Sequence, residues 1–390
     1  MIILAVLVAV ILSGCSPQAR PNTSSAARVL GEPKETTLVV GQPAPSETSD
    51  LGAVSCATAK RCWAVGTAGP DTTPPPGGAA VIARTTDGGV SWKSQHVSGG
   101  STPDLSGISC PNSTDCMAVG SNGSSLPGGG VVVVTGDAGA VWKTAPAPAG
   151  ALTVATVFCS ILANCVAIVS DGTLLWSAVT SNFGATWQQL GDLPSSFLAG
   201  DDLSCTAGGT CLVAGYVPTS SGQGQGAVAL STDDGHTWAL ATVPSGTGIL
   251  QSATCPSASV CLAGGTESMT VSDIVPAQGE LLQSADGGHT WTDVTPAPPV
   301  DDIYGMQCAS AQVCAMVGTK WVGHPSVGTG AVAQSADGGA TFKTSSAAYI
   351  PITLTALSCP TPSGCVAVGG DTVARLTLVT ASPPPRHSHG

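Results

Sequence analysis

Apart from Cys15, the cysteines of this chain fall as seven pairs: Cys56/Cys62, Cys110/Cys116, Cys159/Cys165, Cys205/Cys211, Cys255/Cys261, Cys308/Cys314 and Cys359/Cys365. Every pair is C-x5-C. Thiols in this number could form disulfides, hold zinc or supply a nucleophile. Zinc sites use C-x2-C spacings or His partners, and neither accompanies these pairs. Each pair instead sits between two short apolar runs, as in LGAVSCATAKRCWAVG and LTALSCPTPSGCVAVG. Two β-rich runs joined by five polar or small residues read as a hairpin. Cysteines flanking its loop would have Cα atoms about 4.5–5.5 Å apart, within disulfide range. Seven bridges and an oxidising compartment are expected, each bridge adding about 2 kcal/mol or less because the loop it closes is short. With these cysteines paired, no thiol nucleophile is left in the body of the chain.

The first members of the pairs recur after 46 to 54 residues, a repeat period near fifty. Between 21 and 29 residues after each of the first six comes a second signature: TTDGGVSW (85–92), TGDAGAVW (135–142), TSNFGATW (180–187), STDDGHTW (231–238), SADGGHTW (284–291) and SADGGATF (335–342). Its Asp can accept backbone N–H bonds inside its own turn, its Gly supplies a positive φ, and its aromatic ring leaves the hairpin to pack between sheets. Asp87, Asp137, Asp233, Asp286 and Asp337, with Trp92, Trp142, Trp187, Trp238, Trp291 and Phe342, are therefore read as structural. The octapeptides resemble the Asp-box, or BNR repeat, S-x-D-x-G-x-T-W, found in the propellers of sialidases, sortilin-type receptors and several assembly factors. The resemblance implies a β-propeller.

Composition supports a large core in a chain unlike a cytosolic enzyme. Of 390 residues only 9% are charged while 43% are hydrophobic, and 50 glycines and 29 prolines punctuate the strands. Twelve Lys and Arg against 24 acids leave a net charge of −12, which excludes a nucleic-acid backbone as natural partner.

Each repeat reads as four strands: into the first Cys, out of the second, an apolar run, and the run leaving the second signature. Four strands per fifty residues make a propeller blade. The fold class is accordingly all-β, a seven-bladed propeller of four-stranded blades with one C-x5-C disulfide per blade. The seventh repeat stops one strand short, and the strand at 36–42, TTLVVGQ, is expected to complete it and close the ring. The propeller domain is set at 36–382, followed by a disordered tail, 383–390.

Residues 1–14, MIILAVLVAVILSG, form an apolar run too short to span a bilayer core of about 30 Å comfortably. Leu12-Ser13-Gly14-Cys15 resembles the bacterial lipobox, in which the Cys is diacylated and becomes the first mature residue. The resemblance implies a signal peptide at 1–14, lipidation of Cys15, a flexible tether over 15–35 and an extracytoplasmic domain held at the bacterial cell membrane by the lipid alone. The competing reading is an uncleaved apolar N-terminus.

Strand topology puts the disulfide loops and Asp-boxes on one face of the ring, and the 2–3 and 4–1 links on the other. The 2–3 links differ in length, from only a few residues in blades 3 and 7, through ten in blade 2 (121–130), eleven in blade 4 (216–226) and about a dozen in blade 1 (67–78), to fifteen in blade 5 (265–279), which makes that face the candidate binding surface. Asp50, Asp104, Asp201, Asp202, Asp301 and Asp302 fall in the 4–1 links and would ring the channel mouth, as a cation site, as a docking ring for a basic partner or as plain turn residues. Trp321 and His324 lie in the blade 6 link, KWVGHPSVG, where a Trp is either a binding anchor or a lid on its own loop. Asp301, Asp302, Trp321 and His324 form the candidate binding site.

Sialidases, whose propellers the Asp-box resembles, use an arginine cluster, a Tyr–Glu pair and an acid/base Asp. The propeller body holds Arg61, Arg84 and Arg375 in unrelated positions, and none of Tyr216, Tyr304 and Tyr349 is matched with Glu267 or Glu280. No catalytic residue carries over, and no cofactor or metal is expected. The function read from the sequence is a monomeric, membrane-anchored platform that binds a protein or glycan ligand without enzymatic chemistry. The alternative is a glycoside hydrolase acting on envelope or host glycans.

Overall fold

A computed structural model describes residues 37–43, 49–68, 80–98, 104–124, 126–160, 164–198, 202–220, 224–267, 278–322, 327–344, 350 and 352–378. The signal and tether segments, Cys15, His324, Asp201, Tyr349 and the tail lie outside them. The described strands form seven antiparallel sheets arranged as blades of a ring. Blade 1 comprises Ser49–Cys56, Cys62–Ala68, Ala80–Thr85 and Lys93–Gln95; blade 6 comprises Asp302–Cys308, Cys314–Val322, Val327–Ser335 and Lys343–Thr344. Blade 7 contains Ala356–Thr361, Gly364–Gly369 and Thr372–Thr377, and its outermost strand is Thr37–Pro43. Thr37 pairs with Thr377 and Val40 with Ala374, so the N-terminal strand closes the ring as expected, one residue later than the sequence suggested.

All seven disulfides join the cysteines within a pair: Cys56–Cys62, Cys110–Cys116, Cys159–Cys165, Cys205–Cys211, Cys255–Cys261, Cys308–Cys314 and Cys359–Cys365. Cys62, Cys165, Cys211 and Cys314 stand directly across the ladder from their partners. The Cα atoms of each bridge are 3.9–4.1 Å apart, closer than the expected 4.5–5.5 Å, because the bond draws together two residues that already oppose one another.

The position of the bridges also differs from the sequence reading, which set both cysteines of a pair at the ends of a surface loop. The second cysteine is instead buried in every blade: Cys62, Cys116, Cys165, Cys211, Cys261, Cys314 and Cys365 are all 3% exposed or less. Each begins a second strand, or in the case of Cys365 follows its first residue, and that strand is flanked on both sides. Cys165 lies opposite Thr180, Cys211 opposite Ser231 and Cys261 opposite Ser284 of their third strands. The side chains of these three then enter seams with Val119, Val213 and Leu282 respectively. The disulfides are therefore parts of the core and out of reach of solvent chemistry at those sulfurs.

Alternation along the strands feeds the seams between blades. Trp63 and Val65 pack with Leu105, Cys116 and Trp142 in the seam between blades 1 and 2, whereas Cys62 and Ala64 pack with Val366 and Val368 in the seam between blades 7 and 1. Six of the seven second strands carry Gly four residues after Cys, because the bulged inner strand crosses there. A Cβ added at Gly318 would stand 1.7 Å from the Asp302 carbonyl oxygen.

Two expectations about the links require correction. The blade 6 segment read as a loop is a continuation of the hairpin, with Trp321 opposite Gly328 and Val322 opposite Val327. The blade 4 link, expected to span 216–226, is likewise mostly strand, with Val217 opposite Gln225 and Pro218 opposite Gly224. The polar residues that suggested loops belong to ladders extending beyond the ring. The fourth strands are short, only two residues in blades 4, 5 and 6, and blade 2 acquires a fifth, Val97–Ser98, running parallel to Trp142–Ala145.

Candidate binding face

The Asp turns are built alike. In the first, Asp87 Oδ1 accepts from Val90 and Ser91 N–H at 3.0 and 2.9 Å, Oδ2 accepts from the Ser91 hydroxyl at 2.6 Å, and buried Thr85 donates its hydroxyl to Oδ1 while accepting from Gly89 N–H. Ser231, Ser284 and Ser335 repeat the role of Thr85 at Asp233, Asp286 and Asp337. The Ser91 hydroxyl, then the Ser91 N–H, hold the Asp87 pKa at about 2. Asp233, despite a desolvation effect that pushes it up, is held at about 2 by Thr237 and Ser231. Asp137, Asp286 and Asp337 are also lowered. Each carboxylate is thus spent on its own turn. Blade 3 departs, with Asn182 in the Asp position making the corresponding bond to Thr186 N–H.

The same turns are fastened to the disulfide loops: Gly88 N–H donates to Lys60 O, Ala138 to Thr114 O, Asp234 to Gly209 O, Gly287 to Ser259 O and Gly338 to Gln312 O. Disulfides and Asp turns therefore share one face. Thr37 and Thr377 lie at that face too, since Thr377 ends the third strand of blade 7 where the Cys365 side begins. Of the turn aromatics, Trp142 and Trp291 are buried, while Trp92, Trp187, Trp238 and Phe342 are half-buried against their seams.

On the opposite face the blade 6 hairpin carries the candidate residues. Asp301 and Asp302 are both 6% exposed, so they do not present charge to solvent as a docking ring would. Asp301 accepts from Lys320 Nζ at 2.5 Å and from Trp321 N–H at 2.8 Å. Asp302 accepts from the Thr266 hydroxyl of blade 5 at 2.8 Å and from Trp321 Nε1–H at 2.6 Å. The structure brings these three sequence-selected residues together, with the acids behind the indole. Lys320, which the sequence reading missed, completes the only ion pair among the described residues. The ring of Trp321 lies over Gly328, where an added Cβ would come within 3.2 Å of it. Its outer side is open: Trp321, Val322 and Val327 are 37%, 47% and 53% exposed.

The central channel, about 390 Å³, is lined by the innermost strands. Its wall is mostly Ser, Thr, Gly and small apolar residues, and among the described residues Asp202 is the single charged side chain lining it. Asp202 accepts from the Ser252 hydroxyl at 2.6 Å and from Ala253 N–H at 3.1 Å. Asp50 and Asp104 are exposed at the starts of their strands. The arginines do not converge: Arg61 reaches Ser113 O in the next disulfide loop, Arg84 stacks 5.6 Å from the Trp63 ring centroid, and Arg375 lies beside Gly89. Among the described residues no three His, Cys, Asp or Glu side chains gather as metal ligands.

Also missed was the residue before each first Cys. Ser358 accepts from Cys56 N–H, Ser55 from Cys110 N–H and Ser109 from Cys159 N–H at 2.9–3.0 Å, and Gln307 accepts from Cys359 N–H. These rungs link neighbouring blades around the channel. The recurring Ser-Cys dipeptide was the signal.

No family model matches the chain, and no curated protein matches it in sequence. Solved structures do match in shape. YCF48 bound to D1 peptide gives a TM-score of 0.59 at 13% identity over 88% of this chain and 97% of that one. YCF48 from Cyanidioschyzon merolae gives 0.59 at 14% identity, covering 86% and 98%. The Hadza microbial sialidase Hz136 gives 0.51 at 11% identity, covering 86% of this chain and 66% of that one. The fold is a seven-bladed β-propeller. At these identities the likeness shows the fold alone.

Proposed function

We propose that the chain is an Asp-box propeller lipoprotein, anchored outside the cytoplasm through Cys15, that binds a protein or glycan partner on its long-hairpin face without catalysing a reaction. The observation that carries the reading is Trp321, whose polar edge and backbone are held by two buried carboxylates while its ring and the neighbouring Val322 and Val327 stay open to solvent. A rigid aromatic supported from behind loses little freedom on binding, which suits an anchor. The propeller of YCF48, solved with a D1 peptide, offers a precedent for peptide capture on this architecture. The acids, bonded to the hairpin itself, act as positioning groups, so the partner is recognised by apolar contact more than by positive charge.

Binding is the reading supported here because, among the described residues, the channel wall offers one carboxylate, already hydrogen-bonded, where hydrolysis requires two about 5–9.5 Å apart. The test is partner recovery from membranes: Trp321→Ala should reduce it more than tenfold, corresponding to about 1.4 kcal/mol or more.

A further inference from the structure

A second opening lies on the Asp-turn face, in the seam between blades 3 and 4. It has a volume of about 710 Å³, within the range of small-molecule sites. Its origin can be traced to the sequence. Where blades 1, 2 and 7 place Ser before the first Cys, blade 3 has Phe158, which has no oxygen to offer the next blade. The innermost strand of blade 4 is also only three residues long, Leu203–Cys205. The Phe158 side chain turns into the seam with Val166 and packs beside Leu203 and Val213, and Phe158 lines both the channel and the side opening. Blade 3 thus lacks the side-chain rung of those blades, and Phe158 stands instead in the wall of a cavity.

The lining divides into an apolar part, Phe158, Val166 and Val179, and a hydrogen-bonding part, Asn164, Gln188 and His236. Gln188 and His236 are exposed at the rim, and the His236 Nδ1 lies 2.6 Å from Asp233 O, which leaves Nε2 for a ligand. Among the described residues neither Lys nor Arg lines the opening, and the one carboxylate is Asp234. A phosphate, sulfate or carboxylate ligand would find no counter-charge there. A wholly apolar ligand would make no use of the amides and imidazole at the rim.

From this juxtaposition we infer that the seam between blades 3 and 4 binds a neutral, hydroxyl-bearing ring compound, the chemistry of an uncharged sugar unit. The C–H face of such a ring lies against Phe158 and the valines, and its hydroxyls bond to Asn164, Gln188 and His236, which both donate and accept. The site lies on the face opposite Trp321 and does not depend on the partner-binding reading above.

The experiment is saturation-transfer NMR and calorimetry on the intact propeller with maltose, cellobiose, N,N′-diacetylchitobiose and lactose, and with 3′-sialyllactose as the charged counterpart of lactose. At least one neutral disaccharide should bind, Asn164→Ala/Gln188→Ala should weaken it at least tenfold, and Trp321→Ala should leave it unchanged. Because Asn164 and Gln188 lie at the surface, far-UV circular dichroism of the double variant should match wild type. The inference is overturned if none of the four binds at up to about 10 mM. It is also overturned if the double variant binds as wild type does, or if 3′-sialyllactose binds better than every neutral sugar.

Discussion

Ser358 and Cys56 are 302 residues apart in sequence, yet the Ser358 hydroxyl oxygen accepts the Cys56 N–H at 3.0 Å. The bond ties the innermost strand of the last blade to that of the first, while Thr37–Pro43 ties the outermost strand to the same last blade. The ring is therefore closed at both its inner and outer radius. Ser358→Ala leaves the Cys56 N–H without this acceptor and should cost about 1 kcal/mol. Deleting 37–43 exposes the edge of Thr372–Thr377 and should cause aggregation. Chemical denaturation checks the first outcome and light scattering the second; equal stability of Ser358→Ala and wild type would remove the inner closure from the account.

The Asp turns set the acid limit of the fold. Their carboxylates have folded pKa values lowered from 3.8, to about 2 for Asp87 and Asp233. A lowered carboxylate pKa stabilises the fold above the unfolded value and loses that contribution as pH falls through the folded one. Thermal midpoints should therefore be flat above about pH 5 and decline between about pH 4 and 2. Asp87→Asn and Asp233→Asn should flatten part of that decline, as Asn182 already does in blade 3.

Much of this architecture was legible because it repeats. Seven C-x5-C pairs, with five Asp turns and the Asn182 turn that replaces a sixth, state the blade count, and the missing strand of the seventh repeat points to the N-terminal strand that supplies it. The hairpin extensions were not legible. Gly, Pro and Ser in 216–226 and 320–328 suggested loops, whereas cross-strand pairing beyond the ring keeps them in ladder. Nor was the depth of Cys165, Cys211 and Cys261, because the five mostly small or polar residues before each one read as a hairpin loop while the packing that buries the Cys comes from the seam. The burial of Asp301 and Asp302 was equally hidden, since their partners Thr266, Lys320 and Trp321 come from elsewhere in the chain.

Two tryptophans should separate stability from recognition. Trp291 is 4% exposed, donates its indole N–H to Gly288 O and packs with Leu212, Leu250 and Leu282, so Trp291→Ala should cost roughly 3–5 kcal/mol. Trp321→Ala removes one hydrogen bond from Asp302, which keeps Thr266, and should cost only about 1 kcal/mol. Thermal melts of both variants decide this; a Trp321→Ala loss as large as that of Trp291→Ala would make the indole a structural lid.

The proposed anchor is tested through Cys15. Metabolic labelling with a palmitate analogue should mark wild type and leave Cys15→Ala unmarked and released from the membrane fraction. Retention of an unlabelled wild-type protein in that fraction would point to the uncleaved apolar N-terminus instead.

The most direct measurement of the binding claim is site-specific photo-crosslinking in cells, with benzoylphenylalanine placed either at Val322, beside Trp321, or at Val90, equally exposed on the Asp-turn face. The account predicts a discrete adduct from position 322 that disappears when Trp321→Ala is added, and none of comparable yield from position 90. Adducts from position 90 alone, or an adduct at 322 indifferent to Trp321→Ala, would contradict it.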